Sequence, residues 1–302
     1  MALFRAIESS RPANARLFHD PFAALFLDRR LLWILRISRL PVVGNLVRRA
    51  IDVGWPGARS AAIARTRYID DLLRAALNRR IQQIVLLGSG FDSRAFRIES
   101  IDRARVFEID RPETLHEKRA RLRARFDPLP SHVDFIETDF KESSLSQDMA
   151  KAGYRREHPS FIIWEGVTHY LTEQAVDSTI RWVGTSAPGS ELVFTYIERR
   201  VLEDPRSFGG TRRVFDMMRR VGEPWTFGFD PKELTEYLST RGLDLEKDRG
   251  AANLRTRYFK ERADGMHGYE FYRIAVARVR ERRRFFSNLT NWNVPKTMLS
   301  AW

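Results

Sequence analysis

Residues 81–110 constrain the fold of this chain more than any other part of its sequence. They open with the apolar run 84–87, IVLL, whose length and branched side chains predict a buried strand. The run ends at residues 88–90, GSG, where glycine allows a positive φ or a close approach of the backbone to a ligand. A second predicted strand, 104–109, ends at Asp110. A glycine turn after one strand and an acid at the end of the next are typical of a doubly wound sheet that binds a nucleoside.

The glycine turn differs from the fingerprint of dinucleotide-binding proteins. Ser93 and Arg94 stand where its third glycine would be, which disfavours NAD, FAD and a nicotinamide oxidoreductase. A smaller nucleoside without a pyrophosphate, such as S-adenosylmethionine, remains compatible with the turn.

Strands and helices alternate along the rest of the chain. The further predicted strands are 133–136, 161–164, 191–197, 243–246 and 270–280, and the predicted helices are 112–125, 143–152, 172–183, 212–221 and 232–240. Such alternation predicts an α/β fold, with a seven-stranded, mostly parallel sheet and helices on both faces. If the last two strands pair as a hairpin, one strand is antiparallel.

Acidic residues follow three of the predicted strands. Asp110, Asp139 and Glu165 each stand where a strand ends, and the ligands of parallel sheets bind beyond these carboxyl ends. One such acid can simply cap the next helix. Three of them beside the glycine turn predict a shared pocket.

Helices are predicted before the sheet as well. Residues 18–27 form an apolar-faced helix after an Asp-Pro start signal, and residues 60–77 form a long one. The apolar segment 31–47 contains arginines, which argue against a transmembrane helix. We expect two short helices broken near Pro41 and Gly44, with membrane-surface association as an open alternative.

The chain is expected to form a single domain over residues 1–302. Its predicted parts are N-terminal helices 1–79, a cofactor-binding core 80–197, a lid insertion 198–230 after the fifth strand, the end of the sheet 231–279, and a basic, aromatic tail 280–302.

Composition excludes several classes of function. The 302 residues contain no cysteine, so disulfides, cysteine-zinc sites and thiol nucleophiles are excluded, and the six histidines lack metal-ligand spacing. Net charge is +13, but the 52 basic residues are spread along the chain, so we do not expect a nucleic-acid partner. The histidine spacing and the absence of cysteine lead us to expect no metal site. No signal peptide or membrane span is predicted, so we expect a cytoplasmic protein, and its oligomeric state is left open.

Several short motifs occur in one order along the chain. They are DP and FL at 20–21 and 26–27, ARTR and DD at 64–67 and 70–71, LGSGFDSR at 87–94, FEID at 107–110, DF at 139–140, EGV at 165–167 and YL at 170–171. This set resembles the leucine carboxyl methyltransferase family, in its bacterial branch of O-methyltransferases, which is similar to polyketide carboxyl methyltransferases. The resemblance covers residues of about 15 to 200.

The resemblance implies a class I methyltransferase fold, which is Rossmann-like, and S-adenosylmethionine as the cofactor. It assigns Gly88 and Gly90 to the methionine-side loop, Arg65 to the methionine carboxylate, Asp110 to the ribose, Asp139 and Phe140 to the adenine, and Glu165 to the ammonium or sulfonium end. The family's segments after residue 200 vary, so the acceptor does not carry over.

A small-molecule carboxylate is the first acceptor we expect, because opposite charges cancel during transfer and no general base is needed. A hydroxyl of a secondary metabolite would need a base, for which His169 is the candidate, while Tyr170 could orient an acceptor. A non-catalytic ligand-binding protein on the same scaffold is a further alternative. Amino methylation of nucleic acid is disfavoured, because EGV at 165–167 replaces its Asn/Asp-Pro-Pro-aromatic signature.

Overall fold

The structure, a computed structural model, describes residues 1–138, 145–209, 211–220, 222–259 and 269–281. Its strands are β1 Gln83–Leu87, β2 Arg105–Asp110, β3 Val133–Glu137, β4 Ser160–Trp164, β5 Glu191–Ile197, β6 Leu243–Arg249 and β7 Tyr272–Val279. They form one sheet in the order β3-β2-β1-β4-β5-β7-β6. β1 to β5 pair in parallel, whereas β7 is antiparallel to both of its neighbours. The predicted seven-stranded, mostly parallel sheet is therefore confirmed.

The sheet reverses its winding direction at β1. This strand pairs with β2 on one side, Val85 with Phe107, and with β4 on the other, Val85 with Ile162. The chain leaves β1 toward β2 and later returns to β4, so the connections diverge at the carboxyl ends of β1 and β4. Ligands of doubly wound sheets bind at such a point.

Helices cover both faces of the sheet. They are α1 Ala2–Ser9, α2 Arg29–Ser38, α3 Pro41–Gly54, α4 Ala58–Asn78, α5 Arg94–Arg97, α6 Pro112–Leu122, α7 Leu145–Lys151, α8 Glu173–Gly184, α9 Arg200–Glu203, α10 Thr211–Arg220, α11 Leu234–Ser239 and α12 Ala251–Tyr258. Val85 and Leu87 of β1 pack in one core cluster with α8 and α11, and Ile84 and Leu86 pack in the other with α4 and α12. Burial on both faces explains why this strand is apolar throughout.

The N-terminal segment differs from its prediction. The helix expected over 18–27 is wrong, because only a 3-10 turn forms, at Ala23–Phe26. The buried Asp20 carboxylate accepts the backbone N–H groups of Phe22 at 3.1 Å and Ala23 at 3.0 Å, which ties the turn down without a longer helix. α1 and α12 were not predicted.

The helix pair α2 and α3 breaks before Pro41, as expected, but Gly44 lies inside α3. A Cβ on Gly44 would stand 2.1 Å from the Ser38 carbonyl oxygen at the end of α2. The glycine therefore permits close packing of the two helices.

Candidate active site

The glycine loop after β1 forms the floor of the site. Gly88 has φ +65° and Gly90 has φ +43°, which is left-handed backbone that favours glycine. A Cβ on Gly88 would stand 2.4 Å from Val167 Cγ2, so this position has no room for a side chain. Ser89 N–H donates to the carbonyl of Ile109 at 2.9 Å, which joins the loop to the end of β2.

Asp110, the last residue of β2, is held against the glycine loop. Its Oδ2 accepts the Gly90 N–H at 2.6 Å, and its Oδ1 accepts the Arg111 N–H at 2.8 Å. The half-buried carboxylate also lines a cavity beside the loop. The structure thus brings Asp110 and the glycine loop together, as we expected from the sequence.

Glu165, directly after β4, binds two arginines. Its Oε1 accepts from Arg65 Nε at 2.6 Å, and its Oε2 accepts from Arg94 Nη1 at 2.7 Å. Burial would raise the pKa of Glu165, but the charges of Arg94 and Arg65 outweigh burial, and the pKa is lowered. Glu165 is therefore ionised at neutral pH, and it faces the same cavity as Arg65 and the glycine loop.

A buried network of alternating charges extends from Arg94 away from the cavity. Arg94 Nε donates to Asp70 Oδ1 at 2.8 Å, and Arg97 Nη1 donates to Asp70 Oδ2 at 2.6 Å. Asp20 in turn accepts from Ser93 Oγ at 2.7 Å. The side chains of Arg94, Arg97 and Asp70 are 2% exposed or less, so their charges are compensated by one another rather than by water.

Sequence reasoning assigned no role to this network. Asp70 and Arg94 both belong to the quoted motifs, but only Asp70 lies on a predicted element, the helix over 60–77. Hydrophobic spacing identifies which face of a helix is buried, but not which arginine meets which acid.

Two cavities meet at Gly88, Gly166 and Val167, which line both. The first has a volume of about 400 Å³. Its other lining residues include several from α1 together with Leu27, Leu31, Arg65, Gly90 and Glu165. The second, of about 540 Å³, is lined by Asp110, Arg111, Tyr170, Leu171, Gly222, Glu223, Pro224 and Thr226. Both open at the carboxyl ends of β1 and β4, where the sheet reverses.

The segment after β5 forms one wall of the second cavity. Thr226 N–H donates to the carbonyl of His169 at 2.8 Å, and Phe229 N–H donates to the carbonyl of Ile197 at 3.1 Å. The segment is thereby attached to the loop after β4 and to the end of β5. Its role as a substrate lid remains a prediction.

His169 and Tyr170 occupy different environments. His169 is 3% exposed and lines neither cavity; its ring packs against Tyr170, Trp225 and Tyr272, with centroids 4.2, 5.6 and 5.6 Å away. Burial, assisted by the charge of Arg65, lowers the pKa of His169 to about 3. Tyr170 lines the second cavity, and burial raises its pKa to about 12.

Asp139 and Phe140 lie outside the described residues. The residue before them, Thr138, donates its N–H to the carbonyl of Asp110 at 2.9 Å, so the end of β3 adjoins the end of β2. Within the described ranges no group of three or more His, Asp or Glu side chains could hold a metal ion. The expectation of a metal-independent site stays a prediction.

The sheet order with an antiparallel β7, and the glycine loop bound to Asp110 at the end of β2, define a class I methyltransferase fold. Among solved structures, one from Thermobifida fusca YX, described as a provisional methyltransferase, aligns with a TM-score of 0.56 over 91% of this chain and 97% of its own, at 18% identity. A protein of the duf574 family from Streptomyces avermitilis aligns with a TM-score of 0.54 at 14% identity, covering 91% of this chain and 100% of its own. At these identities the likeness shows the fold.

The family follows from the sequence. The profile of leucine carboxyl methyltransferase matches residues 1–184, and the chain belongs to that family. A Streptomyces coelicolor protein, provisionally named an S-adenosyl-L-methionine-dependent methyltransferase, is 35% identical over 204 residues, which is 67% of this chain and 69% of that protein. A Mycobacterium tuberculosis H37Rv protein with the same provisional name is 27% identical over 266 residues, 81% of this chain and 82% of its own length. The chain is therefore an S-adenosylmethionine-dependent methyltransferase.

Proposed function

We propose that this methyltransferase methylates a carboxylate oxygen of a small-molecule acceptor. The residues proposed to hold the cofactor are Arg65, Gly88, Gly90, Asp110, Asp139, Phe140 and Glu165. The observation that carries the cofactor assignment is the Arg65–Glu165 ion pair, 2.6 Å long, in the cavity that the glycine loop also lines. S-adenosylmethionine, when bound, supplies an electrophilic methyl group on a positively charged sulfur.

The residues present fit that cofactor. Its methionine end carries a carboxylate and an ammonium group, and Arg65 and Glu165 present one charge of each sign side by side. Gly88 has no side chain, so it leaves a space beside Val167 that a Cβ atom would fill. Asp110 offers carboxylate oxygens for ribose hydroxyls. Asp139 would accept from the adenine amino group and Phe140 would contact the ring, as the family resemblance implies.

A carboxylate acceptor is supported by the environment of the candidate base. His169 is neutral at physiological pH, and its pKa of about 3 makes it a poor proton acceptor. Packed rings separate it from both cavities. Tyr170, whose pKa is raised to about 12, stays protonated and can donate a hydrogen bond to an acceptor oxygen. A carboxylate needs orientation and a dry pocket but no base.

A small acceptor is supported by the size of the second cavity. Its volume of about 540 Å³ lies within the range of small-molecule pockets, roughly 300–1,000 Å³. Arg111 lines it and provides a cationic group toward an anionic acceptor.

The test uses matched pairs of acids and phenols, such as benzoate and phenol derivatives with equal substituents. We expect products whose methyl group is released by mild base, as methyl esters are and methyl ethers are not. Under this proposal His169→Gln changes turnover only modestly. Stable ethers together with a loss of about 10²–10⁴-fold in His169→Gln would instead favour a hydroxyl acceptor with His169 as base.

A further inference from the structure

The outer face of α2 and α3 exposes an unusual amount of apolar surface. In the described ranges, six of the seven exposed large hydrophobic side chains lie between residues 33 and 55, with 41% to 73% of their surface exposed. We call these six the outer patch: Trp33, Leu40, Val42, Leu46, Val53 and Trp55. Exposed apolar residues scattered singly need no explanation, but a group of this kind marks an interaction site.

The outer patch belongs to ordered helices that already have a core. Leu35 of α2 and Ile51 of α3 are buried in a common cluster with α1. On α3, Val42, Leu46 and Val53 are four and seven residues apart and therefore share one helical face. α3 thus has an apolar inner side that packs and an apolar outer side that has no partner within the described residues.

The stretch of chain that carries the outer patch is strongly basic. Residues 29–55 contain a single acid, Asp52, which is bound by Arg59 at 2.6 Å. The same stretch contains six arginines: Arg29, Arg30, Arg36, Arg39, Arg48 and Arg49. At its edge lies a cavity of about 460 Å³ lined by Arg39, Leu40 and Arg48 together with Ser10, Arg11 and Ser38. Arginine side chains are suitable donors for phosphate oxygens.

We propose that the outer patch docks this enzyme on an anionic phospholipid surface. Helices that lie in a membrane interface combine an apolar face, tryptophan and flanking arginines. Here Val42, Leu46 and Val53 would enter the acyl boundary, while the arginines contact the headgroups. None of the helices in the described residues is long and apolar enough to span a membrane. The proposal does not depend on which acceptor is methylated.

Charge and surface chemistry favour this occupant over two others. A second copy of the chain would bring six arginines against six arginines, and like charges across an interface cost free energy. Nucleic acid would meet valine and leucine side chains that cannot hydrogen-bond to bases or phosphates. Of these three occupants, anionic lipid is the one that matches both the apolar and the cationic groups.

The test is co-sedimentation of the full chain with vesicles of equal parts phosphatidylglycerol and phosphatidylcholine. We expect binding that weakens as salt is raised, and far weaker binding to vesicles of phosphatidylcholine alone. Leu46→Ser with Val42→Ser should lower the partition coefficient at least about tenfold, because two apolar side chains no longer leave water. Arg36→Gln with Arg49→Gln should lower it by about fivefold per charge.

The matched control is Arg123→Gln with Arg125→Gln. Both arginines are exposed near the end of α6, and replacing them removes the same charge at a site away from the outer patch. Thermal unfolding shows whether each variant is folded, and sedimentation velocity reports self-association. Equal vesicle binding by the control and by Arg36→Gln/Arg49→Gln would overturn the proposal. So would a dimer of the wild type that Leu46→Ser/Val42→Ser dissociates, since the outer patch would then join two copies.

Discussion

Glu165 accepts hydrogen bonds from two buried arginines at once, from Arg65 at 2.6 Å through one oxygen and from Arg94 at 2.7 Å through the other. The first arginine faces the cavity beside the glycine loop, and the second continues inward to Asp70. One carboxylate thus joins the candidate cofactor site to the charge network behind it.

Glu165→Gln should destabilise the protein and weaken cofactor binding together. Removing this charge leaves Arg65 and Arg94 partly uncompensated in a buried site, which costs about 3 kcal/mol of unfolding free energy. Urea unfolding and calorimetry with S-adenosylhomocysteine measure the two effects. Glu117→Gln is the control, because the Glu117 side chain is 51% exposed in its pair with Arg121, and such exposed pairs contribute about 1 kcal/mol or less. Equal destabilisation by both variants would contradict the prediction.

Gly88→Ala should impair cofactor binding through a specific collision. The new Cβ would meet Val167 Cγ2 at 2.4 Å, and the alanine would also have to adopt the left-handed backbone conformation of Gly88. Gly189→Ala is the matched control, because Gly189 has φ +83° but nothing within 4 Å of its Cβ position. Both variants should lose about 1–2 kcal/mol of stability from backbone strain, and Gly88→Ala should lose more.

The double variant Gly88→Ala/Val167→Ala separates collision from strain. It removes the valine methyl group that the new Cβ would strike. Calorimetric affinity for S-adenosylhomocysteine should therefore recover partly. No recovery would mean that Val167 is not the obstacle.

Asp110→Asn should weaken S-adenosylhomocysteine binding about ten- to hundredfold, the range for hydrogen bonds made by a charged group. The amide retains one oxygen, so the Gly90 N–H bond survives in one rotamer while the charge toward the ribose is lost. Asp134→Asn on the neighbouring strand β3 removes an equal charge from an exposed pair with Arg105 and should leave affinity unchanged. Equal affinities for the two variants would exclude Asp110 from the ribose contact.

A buried ion pair behind β2 predicts a pH dependence of stability. Glu108 Oε2 lies 2.6 Å from Lys118 Nζ, and both side chains are fully buried. Burial raises the pKa of Glu108 to about 7, although Lys118 opposes the shift. The folded state therefore keeps a proton that the unfolded state releases above about pH 4.5. The titration of Glu108 therefore lowers the free energy of unfolding as the pH rises from about 4.5 to about 7. Above about pH 7 its contribution no longer changes.

The variant Glu108→Gln/Lys118→Met removes that titration without leaving either partner alone. Relative to this variant, the wild type should lose roughly 3 kcal/mol of unfolding free energy between about pH 4.5 and about pH 7. Urea unfolding across that range measures the difference. A difference that does not change with pH would show that Glu108 titrates normally.

The sheet was predictable from the sequence because its signals are local. Each apolar run is short and ends in a turn residue or an acid, and Gly88, Gly90 and Asp110 follow directly from two such runs. Their meeting at one edge then follows from parallel pairing.

The parts that escaped prediction depend on polar burial. α1 buries Arg5 and Glu8 beside its apolar residues, and Arg5 binds Asp20 at 3.0 Å. Hydrophobic spacing does not reveal the burial of these charged side chains. The Asp-Pro signal at Asp20 was predicted to start a helix, but the Asp20 carboxylate fixes only a short turn and also accepts from Ser93. His169 stands beside a strand end as a catalytic histidine would, and only the surrounding rings reveal that it is enclosed.

β7, the last strand within the described residues, lies between two strands that precede it in the sequence. While the chain is being synthesised, β5 has one open edge and β6 has no place in the sheet until residues 272–279 leave the ribosome. An unpaired apolar edge is a template for another chain. From the synthesis of β5 until residues 272–279 emerge, the nascent enzyme therefore carries an unpaired strand edge that is open to pairing with another chain.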